Sequence, residues 1–186
     1  MAVLQGAIPS GMPDSEKTVK QDPIIQLIVF RLGEEEYGIR IEQVKEVTIT
    51  PEIARMPKTP PFVKGIANLR GDIIAVIDLE ERFRLRAAGQ EMPAVSYTMA
   101  IEAKEYTIGI MVREVPQPLS IQQSVIEKAP EFIQDINIHD KYIEGIAKIE
   151  DRIIVVLDML KLLTPSEIMQ LQPKAESSGS GSRTKA

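Results

Sequence analysis

Apolar and polar residues alternate with a period of two in several parts of the chain, a pattern typical of strands with one buried face. The alternation is clearest over residues 37–42, YGIRIE. The apolar run 26–30 precedes it, with a turn candidate at residues 33–35 between the two. These segments therefore predict a β-hairpin.

A third strand is predicted over residues 43–50, directly after that hairpin. Val44 and Val47 could be plain core positions of this strand. Lys45 and Glu46 are then the expected outward-facing positions.

The best-defined hairpin covers residues 64–79, KGIANLRGDIIAVIDL. Two apolar runs flank the polar turn 70–72, and the second run is rich in β-branched residues, which favour strands. Gly71 can adopt the positive φ of a tight turn. Asn68 and Arg70 are therefore predicted near the hairpin tip, with the Asn68 side chain bonding to the turn backbone.

Both hairpins recur later in the chain. Residues 64–78 return 80 positions on as 144–158, with the apolar framework kept and the Asn-Leu-Arg-Gly tip lost. Residues 36–41 align with 105–110, an offset of 69, so the second copy holds about a dozen extra residues within 116–142. Such a unit is too long and irregular for a solenoid. Two similar small β-barrels are predicted, because closure removes exposed sheet edges.

Two short helices are predicted where the strand pattern stops. Residues 78–81 have the form of a capping box, and residues 164–167 combine an N-cap residue, a proline at the first helical position and a glutamate at the third. The second helix is predicted to end the domain near Leu171.

The chain is predicted to form one folded domain over residues 23–172. One barrel covers roughly 24–86 and the other roughly 95–163, and the sequence leaves open whether the barrels exchange strands. Residues 1–22 lack periodicity and are predicted to be a mobile tail. Residues 173–186 are rich in Ser and Gly and are predicted to be a second flexible tail.

Composition narrows the classes of function. Of the 186 residues 44% are hydrophobic, enough for a core, and the net charge of −5 argues against a nucleic-acid groove. No Cys is present and the single histidine, His139, lies in a polar segment, so no metal or cofactor site is predicted. We find no secretory signal, no bilayer-spanning run and no catalytic cluster, which predicts a cytoplasmic protein without enzymatic activity.

Arg70 is the candidate for a specific contact. It could be a solvated turn residue. It could also be an interface anchor, because the planar guanidinium offers a fork of donors to a partner carboxylate.

The run GIANLRGDIIAVIDL, preceded by PPFVKG and EYGIRIEQVKEV, resembles the CheW family of bacterial chemotaxis coupling proteins. The resemblance covers about residues 26–163. The regulatory domain of the histidine kinase CheA and the coupling half of CheV-type proteins share the pattern, but this chain has no room for a kinase or receiver domain. The resemblance implies an all-β fold of two packed SH3-like five-stranded β-barrels with short helices, and no enzymatic activity.

The resemblance also implies two protein partners and a site. A receptor's helical hairpin would bind in a groove between the barrels, and the CheA regulatory domain would bind by barrel-to-barrel contact. No nucleic acid and no direct membrane insertion are implied, and we expect a monomer outside the receptor array. The residues implied in partner binding are Val44, Glu46, Val47, Asn68 and Arg70.

Other functions stay open on the sequence. The chain could couple receptors and kinase in a pathway other than chemotaxis. A small-ligand-binding β-barrel would need an internal cavity, whereas the bulky inward Ile and Val residues favour filled barrels. An enzyme would need a titratable cluster that the sequence does not offer.

Overall fold

The computed structural model describes residues 22–103, 106–128 and 142–171. The predicted tails lie outside these residues apart from Asp22, as do His139 and much of the predicted insertion. The strands of the described part are β1 (Ile24–Leu32), β2 (Glu35–Arg40), β3 (Val44–Ile49), β4 (Ile53–Ala54), β5 (Val63–Leu69), β6 (Asp72–Asp78), β7 (Tyr97–Glu102), β8 (Thr107–Val112), β9 (Gln117–Gln122), β10 (Ile126–Glu127), β11 (Ile143–Ile149) and β12 (Arg152–Leu157). The helices are α1 (Leu79–Arg82) and α2 (Pro165–Leu171), with 3-10 turns at Ile41–Gln43, Gln123–Val125 and Met159–Lys161.

The strands form two SH3-like barrels, which confirms the predicted all-β class. Barrel A is the sheet β10-β11-β12-β2-β1-β9, and barrel B is the sheet β3-β7-β8-β6-β5-β4. Each sheet has six strands instead of the expected five, because the connectors contribute the two-residue strands β4 and β10. Among the described strands, the pairings β2–β12 and β6–β8 are parallel and the others antiparallel.

The barrels do not follow the order of the two repeats. Barrel A combines hairpin β1–β2 with β9–β12, and barrel B combines β3–β6 with hairpin β7–β8. Contiguous barrels over 24–86 and 95–163 are therefore not the units of this fold, since each repeat gives its first hairpin to the other sheet. The alternation of apolar residues specifies which face of a strand is buried, but it does not specify which strand lies beside it.

The structure also corrects the alignment of the first hairpins. Gly38 pairs with Val156 across β2–β12, and Gly109 pairs with Val76 across β8–β6. Gly38 thus corresponds to Gly109, an offset of 71 where the sequence alignment used 69. A Cβ at either glycine would lie 3.1 Å from an isoleucine side chain, so both positions let the parallel strand approach closely.

The largest apolar cluster lies at the junction of the barrels and is built from both of them. Tyr37 and Ile39 from barrel A meet Met99 and Ile110 from barrel B in this cluster. Smaller clusters fill the barrels themselves, among them one around Leu27. The junction is therefore the main core of the molecule, which fixes the position of one barrel against the other.

Both predicted helices are present and capped. The Asp78 carboxylate accepts a hydrogen bond from the Glu81 amide at 3.2 Å at the start of α1. At α2 the cap is reciprocal: the Thr164 amide donates to Glu167 Oε2 at 2.7 Å, and the Glu167 amide donates to Thr164 Oγ1 at 3.3 Å. Neither helix, nor any other helix in the described part of the chain, is long and apolar enough to cross a membrane.

Candidate functional site

The tip of hairpin β5–β6 is a two-residue turn with a left-handed backbone. Arg70 has φ 52° and Gly71 has φ 98°, the positive values that a type I′ turn requires at both positions. The Gly71 amide donates to Asn68 Oδ1 at 2.8 Å, the local bond expected from the sequence. An arginine is uncommon in this conformation. Because Arg70 is one of the two turn residues between β5 and β6, it lies at the tip of the hairpin.

Strand β3 lies beside this tip and is tied to it by two ion pairs. Arg70 Nε lies 2.7 Å from Glu46 Oε2, and Lys45 Nζ lies 3.5 Å from Asp72 Oδ2. The Arg70 side chain is 81% exposed, whereas that of Glu46 is only 17% exposed. Glu46 thus forms an ion pair with one nitrogen of the guanidinium, and most of the Arg70 side chain remains exposed to solvent.

The exposed face of β3 differs from the prediction. Side chains alternate along the strand, so that Lys45, Val47 and Ile49 are exposed while Val44 and Glu46 are partly buried. Val47 is therefore not a core residue, and Glu46 does not point outward with Lys45. The register of β3 shifts between Val44 and Glu46, so Val44 and Val47 pair with Ile101 and Met99 on the same face of β7, but on this face only Val44 is packed against the core and Val47 is exposed.

The structure thus relates the five predicted site residues to one another in different ways. Glu46 and Arg70 are in direct contact, and Asn68 holds the turn on which Arg70 lies. Val47 belongs to the exposed face of β3, whereas Val44 packs against the core at the barrel junction.

Sequence reasoning missed three residues around this site. It did not single out Asp72 as the partner of Lys45, or Ile49 and Ile73 as exposed apolar side chains. A strict count of alternate positions from Val47 would have found Ile49. No local signal identifies the Lys45–Asp72 pair, because those residues come together only when the sheet bends.

The described residues of barrel A do not form this constellation. The corrected offsets make Gln117 the counterpart of Glu46 and Glu150 the counterpart of Arg70, and these two side chains cannot form an ion pair. The equivalent tip of barrel A instead carries a two-bond contact of Arg152 with Glu36, both bonds 2.9 Å long. The hydrogen bonds from Arg152 hold the pKa of Glu36 below its ordinary value.

A buried charge cluster connects the barrels behind the site. Glu80 on α1 accepts hydrogen bonds from Arg113 at 2.7 and 2.8 Å and from the Gly33 amide, in the β1–β2 turn, at 3.2 Å. Burial works to raise the pKa of Glu80, but these bonds outweigh it and the pKa lies below its ordinary value. The cluster therefore ties the exchanged hairpin of barrel A to barrel B. Among the described residues, no group of three or more His, Cys, Asp or Glu could hold a metal ion.

Comparison with known proteins assigns this architecture to a family. The sequence model of the family described as the CheW-like domain matches residues 26–167. The chain belongs to the CheW-like family. The CheW-like region also aligns with proteins named "Chemotaxis protein CheW": that of Klebsiella aerogenes is 32% identical over 152 residues, which is 82% of this chain and 89% of that protein. That of Treponema pallidum is 32% identical over 152 residues, covering 81% and 88%.

A solved structure carries the same CheW-like fold. The crystal structure of the scaffolding protein TtCheW from Thermoanaerobacter tengcongensis superposes with a TM-score of 0.70 and 32% identity, covering 83% of this chain and 97% of that one. The resemblance recognised in the Asn-Leu-Arg-Gly hairpin is thus confirmed at the level of the family and the fold.

Proposed function

We propose that this CheW-like chain is a non-catalytic adaptor that couples methyl-accepting chemoreceptors to the histidine kinase CheA in the cytoplasm. The observation that carries the proposal is the Glu46–Arg70 pair. It places one exposed guanidinium in an ion pair at a hairpin tip, and the described residues of the other barrel contain no counterpart. An exposed arginine at such a tip is suited to recognise a partner carboxylate.

The proposed receptor site is the exposed face of β3 with the adjoining hairpin tip. Val47 pairs with Met99, which lies in the core at the barrel junction, so the exposed face of β3 continues the junction outward. Val47 and Ile49 would supply apolar contacts to a receptor helix, and Arg70 would supply a directional one.

The kinase would bind a second surface through its regulatory domain. An adaptor that holds two partners at once raises their effective concentration and fixes their geometry without any chemical step. The shared core and the Glu80 cluster support this role, because they prevent the barrels from moving independently. No nucleic acid or cofactor takes part in this proposal, and the chain acts as a monomer outside the receptor array.

The test is reconstitution of kinase activity. This protein, CheA and a receptor signalling fragment are mixed, and CheA autophosphorylation is measured with each component omitted in turn. We expect strong activation that needs all three. Activation by receptor and kinase alone, or none with folded protein present, would rule out the coupling function while leaving the family and fold in place.

A further inference from the structure

The two barrels differ in the side chains that hold their edge strands. In barrel A the edge strand β9 pairs with β1, and aliphatic side chains of this pair pack into the cluster around Leu27. The offset of 71 places hydroxyl-bearing residues at four of the five equivalent positions on β3 and β7 of barrel B. The aliphatic set is Ile25, Leu27, Val29, Leu119 and Ile121, and its counterparts are Ser96, Thr98, Ala100, Thr48 and Thr50.

Hydroxyl groups of barrel B bond to one another. Ser96 Oγ donates to Thr50 Oγ1 at 2.9 Å, and Thr98 Oγ1 donates to the same oxygen at 3.0 Å. Ser96 and Thr98 are buried, so these bonds avoid the cost of unpaired hydroxyl groups. They do not replace the apolar contacts of barrel A, because hydrophobic stabilisation grows with the apolar area that is buried. The attachment of β3 to β7 is therefore weaker than that of β9 to β1.

Strand β3 has few other attachments. It lies at the edge of its sheet and pairs with β7 alone among the described strands. A register shift between Val44 and Glu46 interrupts that pairing. Beyond the ladder, the Thr50 amide donates to the Ser96 carbonyl at 2.9 Å. The two ion pairs to the β5–β6 tip each include a side chain exposed to water, which weakens the attraction.

We infer that β3 is an adjustable strand, which opens away from β7 while the rest of barrel B stays folded and which a bound receptor helix holds closed. The second part of this inference rests on the proposed coupling function, whereas the first part does not. Partner-binding elements are drawn from the less stable parts of a fold. Because Glu46 lies on β3, opening of the strand also breaks the ion pair with Arg70. The strand therefore links the proposed receptor site to the hairpin tip.

Amide hydrogen exchange of the full chain, followed by NMR, tests the first part. The amides of Thr48 and Thr50 are compared with those of Leu119 and Ile121, which occupy the equivalent positions of β9. Both strands are sheet edges, so the comparison is matched in position. We expect protection factors at least about tenfold lower in β3 than in β9, because only the opening of β9 separates aliphatic contacts.

Three variants test the cause. Thr50→Val removes the shared acceptor, leaves the hydroxyl groups of Ser96 and Thr98 unpaired, and should lower the protection of the Thr48 amide about three- to tenfold. The triple variant Thr50→Val, Ser96→Ala and Thr98→Val makes all three side chains apolar and should raise that protection about three- to tenfold above the unmodified chain. Ile121→Thr makes the reverse change in barrel A and should lower the protection of the Leu119 amide.

Addition of a receptor signalling fragment tests the second part. A ligand that binds only when the strand is closed raises the protection factor by 1 + [fragment]/Kd. At a free fragment concentration of about ten times Kd, the protection of Thr48 and Thr50 should therefore rise about tenfold. The Kd is measured by titration calorimetry in the same buffer.

Each part can be overturned separately. Equal protection of β3 and β9, or a triple variant that exchanges as the unmodified chain does, would refute the adjustable strand and leave the coupling proposal standing. A fragment that binds without protecting Thr48 and Thr50 would refute closure by the receptor. No binding of the fragment by the folded unmodified chain would refute closure together with the coupling proposal, and the comparison of β3 with β9 would still decide the first part.

Discussion

A single side chain can be decisive for binding and almost irrelevant for folding, and Arg70 illustrates the difference. Its ion pair with Glu46 is largely exposed on the arginine side. Exposed pairs of this kind contribute roughly 0–1 kcal/mol to the free energy of unfolding. A directional contact with a partner carboxylate, from which water is excluded, is worth considerably more.

Arg70→Ala should therefore leave the free energy of unfolding within about 1 kcal/mol of the unmodified value. In the reconstituted assay it should reduce kinase activation on the order of tenfold or more, the typical effect of about 2 kcal/mol at an interface arginine. Arg152→Ala on the equivalent tip of barrel A is the matched control and should retain activation. Full activation by a folded Arg70→Ala variant would remove Arg70 from the site.

Two glycines of the same hairpin, Gly65 and Gly71, allow the cost of a steric collision to be distinguished from the cost of backbone strain. Gly65 has φ 144°, and a Cβ there would collide with the carbonyl oxygen of Ala54. Gly71 has φ 98°, but a Cβ there would meet nothing within 4 Å. Position 65 therefore requires glycine both for its positive φ and because a side chain would collide with Ala54. Position 71 requires glycine only for its positive φ.

Gly65→Ala should lower the free energy of unfolding by about 3 kcal/mol or more, because overpacking adds to strain at positive φ. Gly71→Ala should lower it by about 1–2 kcal/mol. Denaturant unfolding of the two variants measures the difference. Equal losses would show that β4 can move away from β5 at little cost.

At the scale of elements, α2 is held by one partly buried arginine. Arg82 on α1 donates to both oxygens of Glu167 at 3.0 and 3.3 Å, to the Leu162 carbonyl at 2.7 Å and to the Tyr142 hydroxyl at 3.2 Å. Its guanidinium also lies 4.4 Å from the centroid of the Phe62 ring. These contacts connect the C-terminal helix to the connector before β5 and to the core.

Glu167→Gln should lower the free energy of unfolding at pH 7 by about 2 kcal/mol, because it weakens charged hydrogen bonds to Arg82. Burial works to raise the pKa of Glu167, but bonds from Arg82 and Thr164 outweigh it and the pKa is lowered. A carboxylate whose folded pKa is lowered stabilises the protein above its unfolded pKa and loses that effect as pH falls through its folded pKa. The difference in the free energy of unfolding between the unmodified chain and Glu167→Gln should therefore disappear at acidic pH.

Met169→Ala, at an exposed position of the same helix, is the control for that experiment and should change stability by less than about 0.5 kcal/mol. A gap between unmodified chain and Glu167→Gln that persists at low pH would show that the glutamate acts through packing instead of through its charge.

Element type could be predicted from local signals, whereas element partners could not. The Asn68–Gly71 turn, the N-cap at Asp78 and the capping box at Thr164 each depend on residues within four positions, and each is present. The capping box predicted at Asp78 is only half formed, because the Asp78 amide donates to the distant Phe62 carbonyl instead of to Glu81. The repeat alignment failed by two residues because a shift of two keeps every side chain on its own face. The equivalent glycines Gly38 and Gly109 give the correct offset between the two repeats. The need for glycine at these positions becomes visible only beside the parallel neighbouring strand, whose isoleucine side chain a Cβ would approach closely.

The candidate site also depends on contacts between residues far apart in the sequence, which local patterns do not predict. Glu46 and Arg70 could be named individually from the sequence, by resemblance to a family. Their contact, and the burial of Glu46 beside the exposure of Val47, follow from the bending of barrel B and from the register shift of β3 between Val44 and Glu46.

At the scale of the whole molecule, the exchange of hairpins makes the two repeats interdependent. Hairpin β1–β2 completes the sheet of β9–β12, and hairpin β7–β8 completes the sheet of β3–β6. Neither half of the chain contains all strands of a barrel. The barrels should therefore unfold together in a single transition.

A chain divided after Gly89, which is exposed in the loop between α1 and β7, tests this directly. Residues 1–89 and 90–186 should each show little ordered strand structure alone by circular dichroism and should recover the native spectrum when mixed. The intact chain is the control. A stable native-like barrel from either half alone would show that the exchanged hairpins are dispensable.

The exchange of hairpins also delays strand pairing during synthesis of the chain. Ile24 of β1 pairs with Gln122 of β9, 98 positions later in the chain. At a ribosomal rate of roughly 5–20 residues per second, β1 waits roughly 5–20 s for that neighbour. During this interval Leu27 and Val29, both destined for the interior of barrel A, have no sheet in which to be buried. Each nascent chain thus exposes an apolar hairpin close to identical hairpins on the same polysome. Chaperones that cover this hairpin would raise the yield of folded protein.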